Sequence, residues 1–266
     1  MPKLKVNDIA MYYEVQGEGE PVVLVAGFSA DNILWGALVN ILKNNYQVIV
    51  LDNRGAGQTD APAGAYSIDQ MANDIVALCA NIGIKQAHFI GNSMGGFIVQ
   101  TLAYQNPELV KSVIISNSTT ATHCCFNLYV QAQLELMKAN SPRAALIKAS
   151  CAWAFSFQFL TQPGVFESLI KMGLENPYPF SVTGYEGQYA ALQQFDSSQW
   201  ASQIHVPALV ISANQDLIFS EQSVKSLAEL IPNAAYFCFA DCGHLPFVEY
   251  PEKFAKLVKE HIQQVA

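Results

Sequence analysis

Short hydrophobic runs alternate with longer segments of helical periodicity through the first part of the chain. The runs lack a strict alternation of polar and apolar positions, which indicates strands that are buried on both faces. The strand-like runs lie at residues 22–25, 48–51, 89–90 and 112–115, after two shorter ones within 4–16. The helical segments lie at residues 33–43, 68–82 and 97–104. This alternation predicts an α/β fold with a mostly parallel central sheet and helices on both faces.

The pattern changes between residues 119 and 200, where no β-branched run suits a sheet strand. Helical segments are predicted there instead, at 126–139, 143–155, 163–174 and 182–195. The alternation then resumes with strands at 206–212 and 235–239 and helices at 221–230 and 251–262. We therefore expect a core formed by residues 1–118 and 201–266, with residues 119–200 inserted as a helical lid.

Residues 91–95 read Gly-Asn-Ser-Met-Gly and fit the pattern G-x-S-x-G. In this pattern the small residues let a serine occupy a cramped turn between a strand and a helix, with its hydroxyl exposed. The predicted strand precedes Ser93 and the predicted helix follows it, as the motif requires. The alternative is that the glycines only allow the helix to pack close to the sheet.

A serine nucleophile needs a base, and the base needs an orienting acid. Asp216 follows the apolar run 208–212, and His244 lies in a loop after the run 235–239. The carboxyl ends of parallel strands collect reactive groups at one edge of a sheet, so these residues are expected to meet Ser93. Asp216 could instead be an ordinary turn residue. Asp241 lies too close to His244 in sequence to be preferred as the acid, and Asp196 and Asp60 are weaker reserves.

The chain resembles the α/β-hydrolases that carry an inserted lid, and it is similar to carboxylesterases, enol-lactonases and pimeloyl-type methyl esterases. The resemblance rests on the motif around Ser93, on Ala-Gly-Phe at 26–28, on 52–59 and on Gly-His-Leu-Pro-Phe-Val-Glu at 243–249. It implies that the backbone N–H groups of Phe28 and Met94 form the oxyanion hole. Many relatives have histidine where this chain has Ala26, which affects the support of that loop and leaves its N–H groups in place.

Composition narrows the class of protein further. The 266 residues are 51% hydrophobic, enough for one sizeable core, and the net charge of −8 disfavours binding to nucleic acid. The first residues lack the apolar run of a signal peptide, and no apolar stretch is long enough for a membrane span, so we expect a cytoplasmic protein. Six scattered cysteines do not suggest a disulfide framework. His123, Cys124 and Cys125 lack a second ligand group, and we expect neither a metal nor a cofactor.

These observations predict an ester-bond hydrolase that acts on a small or medium apolar carboxylic ester or lactone. Aromatic residues are abundant in the predicted lid, and we expect Trp153, Phe157 and Leu245 to contact the substrate. One alternative is a hydrolase of carbon–carbon bonds in ring-cleavage products, although those relatives usually have tryptophan where Leu245 follows the histidine. Another is a ligand receptor without turnover. The partner is a small molecule, and the oligomeric state stays open.

Overall fold

A computed structural model describes residues 3–265, whose central feature is an eight-stranded sheet. Its strands are β1 (Lys3–Val6), β2 (Ile9–Gln16), β3 (Glu20–Val25), β4 (Tyr46–Leu51), β5 (Ala87–Asn92), β6 (Val110–Ser116), β7 (Ala208–Ala213) and β8 (Ala235–Phe239). Their order across the sheet is β1-β2-β4-β3-β5-β6-β7-β8. β2 pairs antiparallel with both β1 and β4, and all the other pairings in the sheet are parallel. The predicted fold class is confirmed.

Helices cover both faces of the sheet. They are α1 (Gly36–Leu42), α2 (Ile68–Asn81), α3 (Met94–Gln105), α4 (Cys124–Lys138), α5 (Arg143–Ala154), α6 (Phe157–Leu160), α7 (Val165–Glu175), α8 (Val182–Gln194), α9 (Glu221–Leu230), α10 (Pro246–Glu249) and α11 (Pro251–Val265). Successive residues of β3 enter opposite cores, with Val23 and Val25 in one and Val22 and Leu24 in the other. The unbroken apolar runs are therefore explained by burial on both faces. Within residues 3–265, every helix is too short or too polar to cross a bilayer.

Five helices, α4 to α8, lie between β6 and β7, and we call residues 119–200 the helical insertion. An isolated antiparallel bridge between Ala121 and Asp196 joins its two ends. α4 begins two residues before the predicted start, because the His123 side chain accepts a hydrogen bond from the Phe126 N–H at 3.4 Å and caps the helix. α6 has four residues, which is too short for a periodicity to reveal.

A glutamine of the insertion, Gln188, bonds the backbone of a buried arginine in the core, Arg54. Arg54 is 1% exposed and pairs with Asp74 and Asp8, with the closest N to O distances at 2.9 and 2.6 Å. The Gln188 side chain on α8 donates to the Arg54 carbonyl at 2.8 Å and accepts from the Ser29 N–H at 3.1 Å. The insertion is thereby held over the loop that follows β3.

Candidate active site

Ser93 occupies the turn between β5 and α3 with backbone angles of φ 57° and ψ −120°. A non-glycine residue in such a conformation costs on the order of 1–3 kcal/mol and needs firm support from its surroundings. Its N–H donates to the Ser116 carbonyl at 3.0 Å, and its carbonyl accepts from the Gly96 N–H at 2.8 Å. These backbone bonds fix the turn, and the Ser93 side chain faces a cavity.

The glycines around Ser93 are required by close approaches of the backbone. A Cβ atom on Gly91 would lie 2.1 Å from the Gly95 carbonyl oxygen, and one on Gly95 would lie 2.0 Å from that of Val25. A Cβ on Gly96 would lie 2.4 Å from the Ser118 Cβ. The glycines do allow α3 to pack closely against the sheet, and this packing supports the strained turn at Ser93.

We predict that Gly95→Ala destabilises the protein by at least about 2 kcal/mol, since the overpacked atom would meet backbone that cannot rotate away. Urea unfolding measures this change. Gly36→Ala is the matched control, because an added Cβ at Gly36 meets no atom within 4 Å and the residue already has helical angles. The control should be neutral or slightly stabilising. Equal stability of the two variants would contradict the close approach at Gly95.

His244 is held by a carboxylate that has four hydrogen-bond donors around it. Asp216 Oδ2 lies 2.8 Å from His244 Nδ1 and accepts from Asn117 Nδ2 at 2.9 Å. Its Oδ1 accepts from the N–H groups of Ile218 and Phe219 at 2.7 and 3.0 Å. An ionised carboxylate only accepts, so the proton of this pair lies on Nδ1. In the neutral ring, Nε2 therefore keeps its lone pair, which is the form a general base requires.

Asn92 ties the histidine loop to the serine turn. Its Nδ2 donates to the His244 carbonyl at 3.1 Å and to the Ser116 carbonyl at 3.3 Å. Ser93 and His244 both line the same cavity. The sequence alone did not indicate the roles of Asn92 and Asn117, although Asn92 ends β5 and Asn117 directly follows β6 at the carboxyl edge of the sheet.

This cavity has a volume of about 390 Å³ and lies between the carboxyl edge of the sheet and the helical insertion. Its wall is mostly apolar and includes Phe28, Leu34, Phe126, Leu146, Ile147, Phe155, Leu169, Phe180, Leu245 and Phe247. Polar groups enter at Tyr129, Gln133, Ser150 and Arg143. The shape and lining suit a largely apolar small molecule.

Of the three residues expected to contact substrate, the structure brings only Leu245 into the cavity wall. Trp153 lies behind the wall, stacked on the Tyr129 ring with the ring centroids 4.8 Å apart. Phe157 is 74% exposed at the start of α6. Aromatic abundance predicted an apolar cavity there, but it did not indicate which side chains point inward.

The loop after β3 approaches the serine closely, since a Cβ on Gly27 would lie 3.1 Å from the Ser93 Cβ. The N–H groups of Phe28 and Met94 have no acceptor among residues 3–265. Phe28 is fixed by its ring, which packs against the Tyr185 ring at 4.5 Å between centroids. Met94 directly follows Ser93, and Phe28 directly follows Gly27, which approaches Ser93. The oxyanion hole formed by the two N–H groups stays a prediction.

The reserve acids and the cysteines have other surroundings. Asp60 accepts from the Ala10 N–H, Asp196 from the Ser198 N–H and Asp241 from the Gln215 side chain. All six cysteines are free thiols, and Cys124 and Cys125 are exposed with their sulfur atoms 4.0 Å apart. Residues 3–265 contain no group of three or more metal-ligating side chains.

The comparisons with known proteins agree on the fold family. The profile of the alpha/beta hydrolase fold matches residues 20–251. A 3-oxoadipate enol-lactonase from Acinetobacter baylyi is 28% identical over 96% of this chain and 94% of its own length. A pyrrolizixenacetamide deacetylase from Xenorhabdus hominickii is 26% identical over 98% of each chain. The crystal structure of the enol-lactonase from Burkholderia xenovorans LB400 has a TM-score of 0.89 and 26% identity, covering 98% of this chain and all of that one.

Proposed function

We propose that this chain, which belongs to the α/β-hydrolase family, is a serine hydrolase of a small or medium apolar carboxylic ester or lactone. Its nucleophile is Ser93, its base is His244 and its orienting acid is Asp216. One observation carries the proposal: a strained serine and a carboxylate-bound histidine face the same apolar cavity. The family and the relatives support hydrolysis. The three reactive residues, the type of bond and the substrate are proposed here.

In the first half of the reaction, His244 Nε2 takes the hydroxyl proton as Ser93 Oγ attacks the substrate carbonyl carbon. Asp216 stays ionised and stabilises the imidazolium. The tetrahedral intermediate collapses to an acyl-enzyme when His244 gives the proton to the departing alcohol. Water then repeats the sequence, with His244 as its base, and releases the acid and free Ser93.

The negative charge of the tetrahedral intermediate needs fixed donors. We assign this role to the N–H groups of Phe28 and Met94, each worth about 3 to 4 kcal/mol in the transition state. Both are backbone groups, so Ala26 in place of a histidine does not remove them. The charge is stabilised without any side chain that must reorient during the reaction.

The lining of the cavity supports an apolar acyl or alcohol group as substrate. Helices α4, α5 and α7 contribute much of that lining, which is why we assign the helical insertion the role of a lid. Two relatives of this chain are named as a 3-oxoadipate enol-lactonase and a pyrrolizixenacetamide deacetylase, and the first name supports a lactone or ester as the substrate class. A cytoplasmic location stays a prediction, consistent with six free thiols.

Labelling with a fluorophosphonate tests the nucleophile directly, because Ser93 Oγ would displace fluoride and leave a covalent phosphonyl adduct. We expect one adduct per chain, located on Ser93 by peptide mass spectrometry and absent from Ser93→Ala. A series of p-nitrophenyl esters of increasing acyl length should then be hydrolysed, with a length preference set by the cavity. Absence of both labelling and turnover, with tight binding of an apolar ligand, would favour a receptor.

A further inference from the structure

Glu249 joins the histidine loop to the helical insertion through a single carboxylate. It lies five residues after His244, at the end of α10, and is half-buried. Its Oε1 accepts from the Gly243 N–H at 3.0 Å and from the Ser156 N–H at 2.9 Å. Its Oε2 accepts from the Ser156 hydroxyl at 2.5 Å. One side chain thus bonds the neighbour of the proposed base and the turn between α5 and α6.

The helix that carries Glu249 does not explain this placement. α10 is a single turn of four residues, so it has no extended helix dipole that could fix the position of the Glu249 carboxylate. Within residues 3–265 the Glu249 carboxylate has no lysine or arginine partner, and burial raises its pKa. Its hydrogen bonds from Gly243 and Ser156 are favourable contacts that offset the cost of burying this carboxylate.

Further contacts join the same two parts of the chain, and we call residues 154–157 the anchor turn. The His244 N–H donates to the Ala154 carbonyl at 2.8 Å. The Phe157 N–H donates to the side chain of Gln215, the neighbour of Asp216, at 3.3 Å. Gly243 packs so closely that a Cβ there would lie 2.6 Å from the Ser156 nitrogen. The anchor turn therefore contacts the loops of both the proposed base and the proposed acid.

We infer that Glu249 is a positioning residue, which couples the seating of the helical insertion to the position of the His244 imidazole. The inference rests on the proposed function, because it takes His244 as the base. The Asp216 contact fixes one ring nitrogen, and the backbone on either side of His244 must be fixed as well for Nε2 to reach Ser93. Asn92 holds that backbone from the serine side, and Glu249 with Ala154 holds it from the insertion side.

Loss of this carboxylate should therefore act on the chemical step. A displacement of a catalytic group by about 1 Å is enough to cost about 100-fold in rate. We expect Glu249→Ala to lower kcat for a p-nitrophenyl ester by about 10- to 100-fold. KM should change by less than about threefold, because Glu249 does not line the cavity and its loss should have little effect on substrate binding. Glu249→Gln keeps an oxygen for both N–H groups and should regain most of the lost kcat.

Glu20→Ala is the control for a general loss of stability. Glu20 forms ion pairs with Lys111 and His88 at the opposite edge of the sheet, so its loss should weaken folding and leave kcat unchanged. Hydrogen exchange read by mass spectrometry gives a second result that needs no catalysis. In Glu249→Ala, exchange should rise together at 154–157 and 243–244, and stay unchanged in β5 and α3.

Serine variants serve if Glu249→Ala does not fold. Ser156→Ala removes one bond to Glu249 and also the cap that the Ser156 hydroxyl provides for the Phe159 N–H. Ser181→Ala removes the same kind of cap, on the Gly184 N–H at the start of α8, and Ser181 makes no hydrogen bond to Glu249 or His244. Only the first should lower kcat and raise exchange at 243–244. The inference is overturned if kcat in Glu249→Ala or Ser156→Ala matches its control, or if Glu249→Gln loses as much as Glu249→Ala. If the wild-type protein shows no turnover that depends on Ser93, the proposed function is refuted. The exchange measurement would still decide whether Glu249 couples the helical insertion to the His244 loop.

Discussion

Ser93→Ala is expected to lower kcat/KM for ester hydrolysis by at least about 10,000-fold, because in the proposed mechanism Ser93 Oγ forms the acyl-enzyme. The Ser93 hydroxyl makes no hydrogen bond to any other group within residues 3–265, so its removal leaves no partner unpaired. The serine is also nearly buried, and alanine fits the same space. The melting temperature should therefore stay within about 2 °C of the wild-type value.

Ser118→Ala is the matched control for that substitution. Ser118 is buried beside Gly96, and its hydroxyl also lacks a hydrogen-bond partner in the part of the chain that the structure describes. Its replacement should leave kcat/KM within about twofold, a change too small to reflect a lost catalytic interaction. Steady-state hydrolysis of a p-nitrophenyl ester measures both variants. Turnover by Ser93→Ala at the wild-type rate would refute the assignment of the nucleophile.

Asp216→Asn is expected to lower kcat by about 1,000- to 10,000-fold. Each oxygen of this carboxylate accepts two hydrogen bonds, from Ile218 and Phe219 on one side and from Asn117 and His244 on the other. An asparagine has one oxygen and one NH₂ group. The variant loses the negative charge, and whichever way the amide is turned its NH₂ group faces two donors. When the NH₂ group faces Asn117 and His244, the contact that selects the Nδ1–H tautomer is lost as well.

Asp241→Asn provides the control, since it removes an exposed acid three residues before His244. Asp241 has a φ of 54°, a conformation that asparagine also adopts readily, so the substitution adds no backbone strain. Its kcat should stay within about twofold of the wild-type value, because the Asp241 carboxylate accepts from the Gln215 side chain and makes no hydrogen bond to His244. The Asp241 N–H donates to the Asn214 side chain. The pH profile of kcat distinguishes the two variants further. If Asp241→Asn is inactive and Asp216→Asn is active, the assignment of the acid is wrong.

The fold and the proposed reactive residues could be predicted because they leave local signals. Buried parallel strands appear as short apolar runs, and the turn at Ser93 requires glycines at fixed offsets. Asp216 and His244 follow predicted strands in the order that the chemistry requires. Each of these signals spans only a few consecutive residues, so it can be recognised in the sequence without knowledge of the tertiary structure.

The supporting contacts could not be predicted, because they join distant parts of the chain. Asn92 and His244 are 152 residues apart, and Ser156 and Glu249 are 93 apart. Nothing near Ser156 indicates which loop its N–H will meet. The same limit explains Trp153 and Phe157, since an aromatic residue in an insertion is equally suited to the cavity wall, to a second layer or to the surface.

The division of the cavity between two parts of the chain has a consequence for how new specificities arise. The groups proposed to transfer protons belong to the core, whereas α4, α5 and α7 supply much of the surface against which a substrate would rest. Mutations in those helices can alter substrate preference without touching the chemistry. A chimaera that grafts another enzyme's insertion onto this core should keep residues 154–157 native, so that the graft does not displace the base.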